Sequence, residues 1–510
     1  MSTSSRVIKN TAYLYIKMGI TIFVSLYTTR LILGSLGASD FGIFNVVGGS
    51  VAMLGFLNST LANATQRFMS YAEGEGKLEK KRSIFNVSIV LHVVIAAITV
   101  ALLIGAMFPL FNGIFNIEPN RITAARIVYL SLIFSTVLTI INVPYDAVMN
   151  AHENMLYYSI VGIFESILKL GVAFICVYTS SDRLIVYGIL MACIPLITLS
   201  IMKVYCHRHY EECVIAPMKY WDGSLVKQIS GFFGWNFLTA ISSLFSVQGA
   251  GIVLNHFFGT VLNAAQGISN QVNGALSMFS GNMMKALNPV ITKSAGAGNI
   301  EAMNRATTAG CKFSTLLMMF FSVPLSIEVQ YVLGIWLKDV PVWAAIFVVL
   351  QLVQSTIAQM ASSASTAVYA QGDIKCYAIW KSVMNAMPLF ITWIAFRIGA
   401  GPIWLYIPMI VVWAIGGDVV IVYYAKRNCG LRLVDYINSV AVPLLGTASI
   451  MFLFGGLSYY LISAGFMRFV VTCIATTAGM LASLALFATT EEERTIITSM
   501  IDNMLRVREK

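Results

Sequence analysis

Long apolar runs alternate along the chain with short polar connections. A bilayer core asks for about 20 consecutive apolar residues per helical crossing, and a window of about 19 residues finds such segments. Fourteen helices are predicted, over 8–33, 41–65, 84–110, 122–148, 155–179, 183–204, 229–257, 261–290, 307–336, 340–368, 375–398, 402–425, 437–462 and 466–488. Gly42, Gly48, Gly49 and Gly55 thin out the second, and amides dilute the eighth. That dilution is ordered. Asn263, Gln266, Asn270, Asn273, Ser277 and Ser280 recur every third or fourth residue and so share one helical face, which Gln271 and Asn282 widen. The tenth segment repeats the pattern more sparsely with Gln351, Ser355, Ser362, Ser365 and Tyr369. Amides in hydrocarbon are costly without partners, so each stripe marks either a wetted cavity wall or a hydrogen-bonded seam between helices.

Composition sharpens the class. Of 510 residues 58% are hydrophobic and 11% charged, with a mean hydropathy of +0.78, which leaves no room for a sizeable soluble enzyme domain. The net charge of +10 sits mainly in the connections, where it orients helices, and does not point to nucleic acid. With the N-terminus inside, about two-thirds of the 33 Lys and Arg residues fall on the cytoplasmic side. An even helix count with both termini cytoplasmic follows, and the stretch after Arg6 and Lys9 reads as a permanent first helix. The outer connections are short, which argues against a membrane glycosyl polymerase or ligase and against an enzyme altogether. The eight cysteines show no C-x-x-C spacing, and Cys206-His207-Arg208-His209 with Cys213 reads as a basic juxtamembrane loop, so no metal site is expected.

An offset of 222 residues aligns Gly37 with Gly259, Leu54 with Leu276, Ala64 with Ala286, Gly74 with Gly296, Gly76 with Gly298 and Glu79 with Glu301. This internal repeat predicts two parallel six-helix bundles, residues 1–204 and 229–425, joined by a cytoplasmic linker at 205–228. Helices 13 and 14 follow at 437–488, then a cytoplasmic tail at 489–510, where Ile496, Ile497, Met500, Ile501, Met504 and Leu505 make one apolar face. Two halves entering from the same side leave a cleft suited to alternating access.

Charges inside apolar segments mark the protein interior. Lys17 lies halfway along the first helix, with Thr21 and Thr28 close to its face; Arg30, Lys169, Lys312, Lys381 and Arg397 lie at other depths. Lys312 is expected to reach the headgroups, whereas Lys17 and Lys169 are too deep for that. Inward cations imply an anionic, phosphate-bearing cargo. Glu165, Glu328 and Asp418 are candidates for coupling to H+ or Na+, the first also poised to neutralise Lys169 at i, i+4. No other cofactor is expected.

The stretch Thr29-Arg-Leu-Ile-Leu-Gly-Ser-Leu-Gly-Ala-Ser-Asp-Phe-Gly-Ile-Phe44, followed by Asn63-Ala-Thr-Gln-Arg-Phe68, resembles bacterial polysaccharide (O-antigen type) flippases of the multidrug, oligosaccharidyl-lipid and polysaccharide (MOP) exporter superfamily. The resemblance implies an all-α polytopic, MATE-like fold in the bacterial cytoplasmic membrane. It implies flipping of an undecaprenyl-pyrophosphate-linked oligosaccharide, for lipopolysaccharide, capsule or exopolysaccharide synthesis, beside polymerase or ligase machinery. The predicted cavity joins Lys17, Arg30, Lys169, Lys381 and Arg397 with Gln248, Asn263, Gln266, Asn270, Asn273 and Gln351. A peptidoglycan-precursor flippase is the alternative. A multidrug/cation antiporter is disfavoured, because the seventh segment carries Asn236, Gln248, Asn255 and His256 but no acid.

Overall fold

The computed structural model describes residues 3–115, 117–337, 339–489 and 493–494, and these form helices and no strand. The apolar face predicted in the tail at 496–505 lies outside them. The N-terminal half runs α1 (Thr3–Ala52), α2 (Gly55–Glu75), α3 (Leu78–Pro109), α4 (Ile122–Ala151), α5 (Met155–Tyr178), α6 (Arg183–His209) and a single turn α7 (Pro217–Tyr220). The second half runs α8 (Gly223–Phe258), α9 (Thr260–Gly296), α10 (Ile300–Ile327), α11 (Val329–Trp336), α12 (Ala344–Gln359), α13 (Ser362–Gln371) and α14 (Lys375–Arg397). A π-helix (Met409–Gly416) leads into α15 (Gly417–Cys429), then a short α16 (Leu433–Tyr436), α17 (Val442–Leu461) and α18 (Phe466–Ser483).

Each predicted segment falls on helical residues, but 41–65, 307–336 and 340–368 each cross a break between two helices. Among the described residues eleven are long and apolar enough to cross a membrane, thirteen if each of two bent pairs counts as one span. The bends have local causes. Ser39–Ala52 meets α2 at 46° beside Gly48, Gly49 and Gly55, and α12 meets α13 at 40° where the ladder breaks at Met360 and Ala361. The eighth predicted segment, on α9, is an unbroken helix that is not apolar enough to count among these spans.

The chain forms two compact units: Arg6–Phe237 with Thr292–Gly298, and Leu238–Ile291 with the described residues from Asn299 onward. Residues 205–228 therefore pack with the N-terminal unit, and α17 and α18 with the C-terminal one. The repeat is visible in the backbone. Gly37 and Gly259, 222 residues apart, both break a helix with φ near +75° (75° and 79°), and Gly76 and Gly298 both end one at 70° and 71°. These are conformations that glycine adopts without a Cβ penalty. The starts of α3 and α10, and of α4 and α12, keep the same offset.

In the N-terminal unit Val47, Val51, Val128, Tyr129 and Ile133 sit in a solid apolar core, where the Tyr129 hydroxyl donates to the Leu103 carbonyl at 2.7 Å. The C-terminal unit centres on Leu254, Phe347, Val348 and Leu352. There α18 is pinned by a buried two-point ion pair. Arg468 places Nε 2.9 Å from Glu328 Oε1 and donates from Nη2 to Oε2 at 2.9 Å, and Thr472 donates to Oε1 at 3.1 Å. Glu328 stands at the α10–α11 junction, so its charge ties α18 to that junction.

Candidate functional site

The amide stripe of α9 faces a cavity of about 320 Å³ within the C-terminal unit. Gln266, Asn270, Asn273 and Ser277 form one wall; Gln351, Gln354, Ser355 and Gln359 of α12 form another; Tyr406, Met409 and Trp413 close it. Helical spacing of 3 and 4 residues places the α9 amides together, and the π-helix after Pro408 presents Met409 and Trp413 on one side. Gln351 donates to Gln354 Oε1 at 2.8 Å, and Tyr406 shares a 2.7 Å hydroxyl hydrogen bond with Ser269. The Asn273 Oδ1 is buried without a protein partner, an acceptor left for a cavity occupant. No charged side chain lines this cavity among the described residues. Its chemistry is donor–acceptor amides beside aromatic faces.

The sequence prediction grouped these amides with five cations, none of which is among the lining residues. Gln248 is exposed and outside the cavity lining; Asn263 lies beside Gly251 with its Oδ1 buried and unpartnered. None of Lys17, Arg30, Lys169, Lys381 and Arg397 lines the cavity. Lys17, in the N-terminal unit, holds its ammonium 4.2 Å from the centre of the Tyr158 ring and lies across Gly162, where a Cβ would meet Lys17 Cε at 2.2 Å. Thr21 and Ser166 hydrogen-bond at 3.1 Å one turn further along the same helix pair. Lys169 pairs with Glu165 at 2.6 Å, the i, i+4 neutralisation its spacing allowed. Arg30 is exposed, and Arg397 lies over the Trp393 ring at 4.9 Å. Lys312 does not reach outward. It is 1% exposed and pairs with Glu493 at 2.7 Å, because a carboxylate 181 residues away supplies its counter-charge.

An ionic junction that sequence reasoning missed lies at the ends of the N-terminal unit's helices. Glu73 takes Lys81 at 2.8 Å, His152 Nδ1 at 3.6 Å and Lys293 at 3.6 Å, while Glu212 takes His152 Nε2 at 2.5 Å and Lys81 at 3.7 Å. Glu153, at φ 56°, adds Lys293 and Arg6, each at 3.7 Å. Burial pushes the Glu212 carboxyl up, yet His152 and Lys81 hold it below the usual carboxylate range. Glu73, His152 and Glu212 offer three ligand atoms within 4.8 Å, but Lys81 already sits against both carboxylates. At another connection Arg121 bridges Asp40 and Asp182, and Asp182 also caps α6 by accepting from the Leu184 and Ile185 amides at 3.0 and 3.2 Å.

No family model and no curated protein matches the chain. Solved structures do. A crystal structure of MATE in complex with MaD3S superposes with a TM-score of 0.69 over 84% of this chain and 97% of that one, at 13% identity. A MOP superfamily transporter from Pyrococcus furiosus, described as having a binding pocket of reverse polarity, gives 0.70 over 84% and 97%, also at 13% identity. An outward-facing multidrug resistance MATE family transporter gives 0.70 over 85% and 97%, at 12% identity. The fold is therefore that of the MATE transporters of the MOP superfamily.

Proposed function

We propose that this protein is a membrane transporter that flips a lipid-linked oligosaccharide by alternating access, with the glycan in the amide cavity. The observation that carries this reading is the composition of the cavity wall: amides, hydroxyls and aromatic rings, without a charge. Sugar hydroxyls pair with amides as both donors and acceptors, and sugar C–H faces lie well against rings such as Tyr406 and Trp413. A cationic drug finds no carboxylate there.

The anionic part of the cargo needs a cation. Lys17, in the N-terminal unit, is the candidate for it, since its ammonium rests on an aromatic ring and is not spent on a carboxylate among the described residues. A charge-assisted contact contributes about 1.5–3 kcal/mol, so Lys17→Ala costs about tenfold or more in headgroup affinity. The polyprenyl tail stays in lipid, which needs no pocket.

Cells without the gene test this. Accumulation of lipid-linked oligosaccharide in the cytoplasmic leaflet with loss of surface glycan, rescued by wild type but not by Lys17→Ala or Asn273→Leu at equal membrane abundance, is the expected result. Unchanged surface glycan with altered drug tolerance overturns it in favour of a multidrug exporter, and arrest of wall synthesis in favour of a peptidoglycan-precursor flippase.

A further inference from the structure

We propose that Asp418 is a proton-exchange site that couples ion movement to the cavity wall. This rests on the transporter reading but not on the identity of the cargo. Three acidic residues inside apolar helices were candidates for ion coupling, and the structure distinguishes them. Glu165 is held by Lys169 at 2.6 Å, and Glu328 by two guanidinium contacts from Arg468 and a hydroxyl from Thr472. An acid locked in this way exchanges its proton only by breaking its partner's pairing. Asp146 is partnered too, by the Asn142 amide at 3.2 Å. The Asp418 carboxylate has no hydrogen bond and no ion pair within 4.0 Å among the described residues, although it lies in the middle of the Pro402–Cys429 span. An intramembrane carboxylate without a direct partner is a functional group by default.

Its surroundings suit a proton. Lys381, on α14, is the cation that acts on it, and its ammonium lies against the backbone one residue before, 2.5 Å from where a Cβ on Gly417 would stand. The other ionisable groups facing Asp418 are the Cys311 thiol of α10, the Tyr377 phenol of α14 and the Tyr436 phenol of α16, with Tyr369 of α13 edge-on to Tyr377 at 5.4 Å. An ammonium beside a single carboxylate repels a sodium ion, which also needs several oxygen ligands. A proton needs one carboxylate oxygen and nothing else. The step balances simply: the carboxylate takes H+ from water on one side to become the neutral acid and gives it back to water on the other.

The link to transport is covalent. The π-helix that carries Met409 and Trp413 into the cavity wall runs directly into Gly417 and Asp418. On its other side Gly416 lies against Met384, whose sulfur is 3.2 Å from a Cβ position there, on the helix that also carries Lys381. Charge on Asp418 draws Lys381 over Gly417; the neutral acid releases it. The two charge states thus favour different positions of the segment that bounds the cavity, and π-helical turns recur where such adjustments are needed.

The experiment uses purified full-length protein in lipid nanodiscs, without cargo. Infrared difference spectra across a pH titration should show a protonated-carboxyl band absent from Asp418→Asn and restored, at a moved frequency, by Asp418→Glu. The part of the tryptophan emission lost in Trp413→Phe should follow the same pH midpoint in the parent protein and become flat in Asp418→Asn. If Asp418→Asn fails to fold because Lys381 loses its counter-charge, the pair Asp418→Asn with Lys381→Met removes both charges and should fold with the same flat response. A carboxyl band or a Trp413 transition that persists in these variants overturns the proposal. Sodium chloride that abolishes the band at fixed pH does so too, in favour of a sodium site. Neither readout contains a glycan, so a wrong cargo leaves the outcome unchanged.

Discussion

Adding one methyl group at Gly74 should open the crossing of α2 with the end of α9. A Cβ there would stand 2.0 Å from the Lys293 carbonyl oxygen and 2.8 Å from its carbon; at Gly296 it would stand 2.0 Å from the Tyr71 oxygen and 2.8 Å from its carbon. The two contacts are one contact written twice, since Gly74 and Gly296, and Tyr71 and Lys293, are 222 residues apart. The obstacles are backbone atoms, which cannot turn aside, so the helices must part by about 1 Å to restore ordinary packing. Overpacking costs about 1–3 kcal/mol and replacing glycine in a helix returns about 0.5–1 kcal/mol, leaving a net loss centred on about 1 kcal/mol within a range of about 0–2.5 kcal/mol. Parting also stretches Lys293 from Glu73 and Glu153, now 3.6 and 3.7 Å away. Thermal unfolding of the purified protein should place Gly74→Ala and Gly296→Ala below wild type. Gly105→Ala, whose Cβ meets nothing within 4 Å, should melt at or above it. The double variant should lose less than the sum, because the first methyl already opens the crossing for the second. If Gly74→Ala melts with Gly105→Ala, the crossing is not tight and the reasoning fails.

Two further outcomes follow from the ion pairs. Arg468→Met leaves Glu328 buried and unpaired and should destabilise by about 3–5 kcal/mol; adding Glu328→Gln should recover part of it, which thermal melts of the three proteins decide. Glu212 has a folded-state affinity for protons below its ordinary value of 4.5, so its pairing stabilises above that pH and fades as pH falls through the lower folded value. Glu212→Gln should therefore melt lower at neutral pH and lose part of the acid-side decline in melting temperature; an unchanged acid limb counts against the junction's role.

What the sequence made legible was local. Apolar run length located the helices, and the 3- and 4-residue spacing of Gln266, Asn270, Asn273 and Ser277 put them on one wall because a helix enforces that geometry over any short stretch. Glu165 and Lys169 could be paired for the same reason. Gln354, Tyr406, Met409 and Trp413 escaped, since α12 breaks near its end and a π-helical register after Pro408 follows neither period. The partners of Lys312 and Glu328 escaped because they lie 181 and 140 residues away, and a single sequence carries no signal of long-range pairing.

The repeat shows how the cavity wall differs from its counterpart in the other unit. At the 222-residue offset Gln266, Asn273, Gln351 and Ser355 correspond to Phe44, Val51, Tyr129 and Ile133. The last three are buried members of the N-terminal core, and Phe44 packs against it. One backbone thus serves as solid core where the side chains are large and apolar, and as a cavity where they are amides. The amides also keep it open: collapse would bury donors and acceptors without partners, at about 1–3 kcal/mol each, whereas water or hydroxyls satisfy them. The intrahelical lysines are not shared between the halves: Lys17 corresponds to Thr239 and Lys169 to Ile391, while Lys312 and Lys381 correspond to Val90 and Ser159.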